Sequence, residues 1–227
     1  MSNVLGLVPA RAGSKGVPRK NVRLLKGHTL LEYTARAARA SGVLNRVILS
    51  TESPEIADAG RSAGLEVPFM RPSALAQDDT PMLPVVLHAL GALEADEWFA
   101  DVIVLLQPTS PRRRPEHIRN AVEVLRSTGA DSVVSVVELP LDSSPDYVMR
   151  IDNGVLRPFL PEGARIARRQ DARPAYRRDG TVYVFWHSTL DRFGNIYGED
   201  CRPLIVDASE SLSIDSPADW EEAERML

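Results

Sequence analysis

The 227-residue chain is long enough for one sizeable domain, with or without an appendage, and its 44% hydrophobic and 26% charged content is that of an ordinary globular protein. A net charge of −4 leaves no basic excess for general nucleic-acid binding, and four scattered histidines (His28, His88, His117, His187) have no zinc spacing. One cysteine, Cys201, excludes an internal disulfide framework and fits a reducing cytoplasm, and the N-terminal segment has the apolar length of neither a signal peptide nor a membrane span.

Taken in chain order, β-branched runs predict strands over Val4–Ala10, Arg46–Thr51, Asp101–Pro108 and Ser132–Leu139, with later ones near Gly180–Trp186 and Pro203–Asp207. Between them lie amphipathic helical patterns. One aligns Leu31, Thr34, Ala35 and Ala38, a second Leu83, Val86, Leu87 and Leu90, and a third Ile118, Ala121, Val122 and Leu125. The unbroken runs at 102–106 and 133–137 suit strands covered on both faces. This pattern predicts an α/β sandwich around a mostly parallel sheet.

The alternation fails over 140–179, which carries Pro140, Pro145, Pro158, Pro161 and Pro174 and little helical periodicity. So long a stretch is too much for a plain loop. The expected organisation is a core of residues 1–139 and 180–227, with 140–179 inserted as a β-rich arm.

Chemistry-bearing stretches fall where strands end, the place where open α/β sheets bind ligands. The first, LVPARAGSKGVPRKN (7–21), holds Arg11, Lys15, Arg19 and Lys20 among glycines, with Arg23 and Lys26 following and no acid before Glu32. Such a loop suits a small anion approached by backbone amides, although it matches neither the P-loop nor the G-x-G-x-x-G spacing. A solvated basic turn is the structural alternative. The second, LLQPTSPRRRPEH (105–117), offers Gln107, Thr109 and Ser110 as neutral donors and acceptors for a base or sugar hydroxyl. It also reads as a turn and helix start, with Pro115 at the first helical position and Glu116 in the first turn.

The third stretch is the arm, with seven arginines from Arg157 to Arg178 against Glu162 and Asp171, suited either to forked recognition of an acid or to a solvated or subunit-facing surface. The fourth is SIDSPADW (213–220). There Ser216, Pro217 and Asp219 form a helix start, which leaves Asp215 as the candidate hard-metal ligand. No nucleophile–base signature is present in the sequence.

The blocks PARAGSKGVPRKN, RPSALAQDD, LLQPTSP, YRRDGTVY and SIDSPAD, in this order, resemble the acylneuraminate cytidylyltransferase (CMP-sugar synthetase) family over nearly the whole chain. The resemblance implies a Rossmann-like nucleotidyltransferase sandwich with a protruding dimerisation arm. It also implies a homodimeric enzyme that joins CTP to a sialic or related nonulosonic acid with Mg²⁺ and releases pyrophosphate. By position, Arg11, Ser14, Lys15, Lys20 and Asn21 would hold the triphosphate and cytidine, with Arg71 a further nucleotide-binding arginine. Gln107, Arg169 and Arg177 would face the acidic sugar, Arg169 across the dimer, and Arg11, Lys20 and Asp215 would carry catalysis, Asp215 through the metal.

Three positions depart from the family pattern. Ser213 replaces the first of two aspartates, Tyr147 stands where sialic-acid enzymes have lysine, and Met82 where a small hydroxyl residue is common. Another 2-keto sugar acid or a phosphonate as acceptor, or a nucleotide-binding module without turnover, are the competing readings.

Overall fold

The computed structural model describes residues 2–13, 15–161, 163 and 168–227. Six strands form the main sheet: β1 (Val4–Pro9), β2 (Arg46–Ser50), β3 (Val102–Leu105), β4 (Ser132–Glu138), β7 (Tyr176–Trp186) and β8 (Cys201–Ile205). Their order is β2-β1-β3-β7-β4-β8. All neighbours are parallel except β7, which runs antiparallel to both β3 and β4. Strands β5 (Met149–Asp152) and β6 (Val155–Pro158) make a separate antiparallel hairpin.

Alternation along each strand builds two cores. Val4 and Val8 of β1, Val102 and Val104 of β3, and Val182 and Val184 of β7 point to one face. There they meet α1 (Leu30–Ser41), α2 (Pro54–Ser62) and α4 (Pro115–Thr128). Leu5 and Leu7, Ile103 and Leu105, and Tyr183 and Phe185 point to the other, against α3 (Met82–Ala95) and α5 (His187–Phe193). The doubly covered sandwich expected from the unbroken apolar runs is the observed one.

Helix ends follow their chemistry. A reciprocal Thr29–Glu32 capping box starts α1, and Ser53 with Pro54 starts α2, which the apolar pattern had not marked. On α3 the buried stripe is Val86, Ala89, Leu90 and Leu93, while Leu87, expected inside, is exposed. This helix is apolar on nearly every side, so periodicity alone could not choose its inner face. The sheet is rejoined at Tyr176, earlier than the expected strand near Gly180, because Tyr176 already pairs with Glu138. Strand β8 starts at Cys201 and accommodates Pro203 because it lies at the sheet edge.

The β4–β7 ladder is irregular at one point. It breaks between Val134 and Val136, and Ser135 Oγ accepts the Val182 amide at 2.8 Å in its place. The bulge pushes Asp179, Gly180 and Thr181 toward the end of β3.

Candidate active site

The basic loop leaves β1 at Pro9 and is fastened from below. Val17, Leu25 and Leu30 pack with Leu212, Ile214 and Trp220 in a third apolar cluster, joining the loop to α6 (Pro217–Met226) and the segment before it. A Cβ on Gly16 would lie 1.8 Å from the Asp215 carbonyl oxygen, so glycine is what permits this close approach. Lys20 seals the contact, its Nζ donating to the Ile214 carbonyl at 2.8 Å and to Asp215 Oδ1 at 3.0 Å. Asn21 is buried and donates to the Arg11 carbonyl at 3.1 Å.

These residues line an open cleft at the C-terminal ends of the parallel strands. Arg11, Lys20, Asn21, Arg71, Gln107 and Asp215 all face it. One end, with Arg11, Lys15, Lys20 and Asp215, is strongly polar. Leu75, Met82, Val85 and Pro108 give the other a mixed apolar wall. Such a gradient suits a ligand with a highly charged end and a flatter, less polar one.

The loop's positive charge is not uncompensated, as its sequence suggested. Asp78 stands between Arg11 (2.7 Å) and Lys15 (2.5 Å), and these two cations, Lys15 the stronger, hold its carboxyl below the ordinary aspartate range. Arg19 pairs with Glu55, and Lys20 with Asp215. The acids come from other elements, so a local count could not see them. Asp78 lies in a segment that also offers the Ala76 carbonyl to Arg11 at 3.3 Å.

Arg71 is 5% exposed, and its Nε has no hydrogen-bond partner among the described residues. Its Nη2 donates to Glu52 Oε2 at 3.1 Å, while Glu52 Oε1 accepts the Ala12 amide at 2.7 Å. Sequence reasoning missed both Glu52 and the role of Asp78. For Glu52 the signal was present, because it follows β2 at the same sheet end as the basic loop.

Gln107 is fixed by a buried arginine. Arg113 donates to the Gln107 carbonyl (2.5 Å), the Thr181 carbonyl (2.5 Å) and Thr34 Oγ1 (3.3 Å), tying together the end of β3, the bulge of β7 and α1. Burial pulls the guanidinium down to about 9, partly offset by Asp179. Gly180 has φ +80°, and a side chain there would meet Gln107 Oε1 at 3.1 Å. Thr109 lines the cleft and its carbonyl accepts the Ile214 amide at 2.9 Å, whereas Ser110 is buried outside the lining, its hydroxyl without a partner among the described residues.

The helix start expected at Ser216 is present, with Asp219 Oδ2 accepting the amides of Asp215 (2.9 Å) and Ser216 (2.7 Å). Those bonds, the Asp215 amide foremost, hold the Asp219 carboxyl low. Asp215 is free of the cap, its carboxylate 68% exposed with Oδ2 accepting from Ser213 Oγ at 2.8 Å. Ser14 lies outside the described residues. Arg169 begins a short 3-10 turn, and Arg177 is exposed on β7 and is not part of the cleft lining; neither is Tyr147.

Over residues 5–226 the sequence matches the cytidylyltransferase family. The chain belongs to that family. It is 37% identical over 227 residues to a CMP-N,N'-diacetyllegionaminic acid synthase of Legionella pneumophila, covering 99% of this chain and 96% of that one. It is 30% identical to an N-acylneuraminate cytidylyltransferase of Escherichia coli, covering 97% of this chain and 51% of that protein. In fold it is similar to a CMP:2-keto-3-deoxy-manno-octonic acid synthetase solved with CTP, at TM-score 0.74 and 16% identity, covering 99% of this chain and 98% of that one. As a cytidylyltransferase, the protein has its cleft where the sheet geometry places it. No helix among the described residues is long and apolar enough to cross a membrane.

Proposed function

We propose that this cytidylyltransferase transfers CMP from CTP to the hydroxyl of a nonulosonic acid, releasing pyrophosphate. The observation that carries the reading is the convergence of Arg11, Lys20, Asn21, Arg71, Gln107 and Asp215 on one cleft from four separate stretches of chain. The acceptor class follows the names of the legionaminic and acylneuraminic acid relatives.

In the reaction the acceptor oxygen forms a bond to the α-phosphorus, the bond from that phosphorus to the bridging oxygen breaks, and the hydroxyl proton leaves to water. Little covalent work falls to the protein, so positioning and charge stabilisation carry catalysis. Arg11 and Lys15 receive the departing phosphates and Lys20 holds the loop against the Asp215 segment, while Arg71 and Asn21 fix the nucleoside. Gln107, held by Arg113, orients the acceptor.

The donor set fits a divalent cation of the magnesium type. Among the described residues no group of three or more His, Cys, Asp or Glu converges on a metal position. Mg²⁺, however, needs only one or two protein carboxylates when substrate phosphates complete its shell. The exposed Asp215 carboxylate supplies one, and the bound ion would neutralise charge on the phosphate oxygens. Ser213 adds a neutral oxygen beside it.

The arm completes the enzyme as a dimer in this reading. The β5–β6 hairpin places Ile151 opposite Leu156 on one face, 75% and 62% exposed, and Arg150 opposite Arg157 on the other. An isolated hairpin is marginally stable, and its bare apolar face is suited to a second copy of the chain. In that dimer the acceptor's acid group is assigned to Arg177, which lies outside one chain's cleft lining, and to Arg169 of the second copy. Met82 in the cleft wall favours an acceptor other than sialic acid itself. Pyrophosphate release from CTP, measured against a panel of acidic sugars, tests the proposal.

A further inference from the structure

Glu52 is a largely buried carboxylate behind the cleft, bonded to Arg71 of its lining but not itself part of it, and the reaction gives it no part. Its two oxygens are divided between two regions of the site. Oε1 accepts the amide of Ala12, next to Arg11 in the basic loop, and Oε2 accepts Arg71 Nη2 in the wall of the cleft. Both side chains of the ion pair are largely buried. Arg71 has its backbone amide on the Thr51 carbonyl at 2.8 Å, immediately before Glu52, so strand end, carboxylate and guanidinium form one closed unit.

We propose that Glu52 is a positioning residue. It sets the distance and orientation between the phosphate-holding loop and Arg71, so that the two ends of the nucleotide meet a preformed site. The inference rests on the cleft being the CTP site. A guanidinium so deeply buried loses its orientation and its charge compensation together when the carboxylate is removed. The Ala12 amide, once released, can also turn and carry the Arg11 backbone with it.

The sign of the effect distinguishes positioning from simple charge. A carboxylate behind a triphosphate site, here bonded to the Ala12 amide, repels the ligand, so on charge alone its neutralisation tightens CTP binding. Positioning predicts the reverse. Glu52→Gln retains size and an oxygen for Ala12 but withdraws the negative charge from Arg71.

The test is CTP binding by titration calorimetry together with steady-state kinetics on the full chain. For Glu52→Gln, CTP Kd and KM rise about tenfold, while kcat and the acceptor KM stay within about twofold. Glu52→Asp keeps the charge on a stem one methylene shorter and recovers part of the loss. If Glu52→Gln does not melt cooperatively, Glu52→Asp carries the test, with weaker CTP binding at unchanged kcat expected. CTP affinity that is unchanged or tighter in the variant tested overturns the proposal. Failure of the unmodified protein to bind CTP overturns the functional reading beneath it, and is told apart because no variant is involved.

Discussion

Asp78 sits 2.7 Å from Arg11 and 2.5 Å from Lys15, its carboxylate filling the space between the two cations. In the proposed reading this is the triphosphate end of the cleft, so it is self-neutralised and an incoming anion must displace a side chain. Asp78→Asn removes the competitor but keeps the side chain's size. Because surface ion pairs are weak, the expected gain is modest, with pyrophosphate and CTP binding about threefold to tenfold tighter by calorimetry. Weaker binding in this variant would mean that Asp78 holds the loop in shape.

Asp215 and Ser213 test the metal. Asp215→Asn is expected to nearly abolish turnover while CTP binding stays within about tenfold, since the ion chiefly serves the transition state. Ser213 Oγ already touches Asp215 Oδ2 at 2.8 Å, so Ser213→Asp sets two carboxylates side by side. Without a divalent cation they repel, and with Mg²⁺ they share it. The variant should melt lower than wild type in chelator, show a larger Mg²⁺-induced rise in Tm, and need about tenfold less Mg²⁺ for half-maximal rate. If Asp215→Asn keeps normal turnover and Mg²⁺ dependence, the carboxylate is structural.

The sandwich was legible from the unbroken runs at 102–106 and 133–137, because a strand covered on both faces is apolar at nearly every position. The cleft was legible in part, because Arg11, Lys20, Gln107 and Asp215 lie where strands end or beside a helix start. The acids were not. Asp78 meets Arg11 only after the chain has folded, and nothing in local spacing encodes that contact; Glu52 had only its place after β2 to mark it, not its bond to Ala12. The inner face of α3 was hidden by the opposite problem, too many apolar residues to select one stripe. The β7 bulge that brings Gly180 to Gln107 is set by sheet geometry, which the apolar pattern does not report.

The uncovered hairpin face makes the oligomeric state testable. Wild type is expected to be a dimer at micromolar concentration by light scattering. Ile151→Asp with Leu156→Asp, which places two charges opposite each other on that face, should give a folded monomer. A wild-type monomer contradicts the dimer.

Asp146 ties together two parts of the 140–179 segment. Its Oδ2 accepts the Arg173 amide at 3.0 Å and Nε at 2.7 Å, and its Oδ1 accepts Nη2 at 2.5 Å. These bonds, the side-chain ones foremost, hold its carboxyl down to about 2. A carboxyl depressed on folding contributes stability above its unfolded value of about 4 and loses it as pH falls toward 2. Asp146→Asn should therefore lower Tm at pH 6, with the two curves converging between pH 4 and pH 2. Parallel curves over that range would show that the ion pair does not hold the arm.

The most direct measurement is pyrophosphate release with CTP, Mg²⁺ and a nonulosonic acid, for wild type and for Arg11→Ala and Lys20→Ala. A cytidylyl transfer carried by the basic loop predicts release that requires both substrates, favours CTP over the other three nucleotides, and falls by on the order of 10²-fold in kcat/KM for CTP in each variant that still melts cooperatively. No release with any acidic sugar, or near-normal kinetics in both variants, would contradict it.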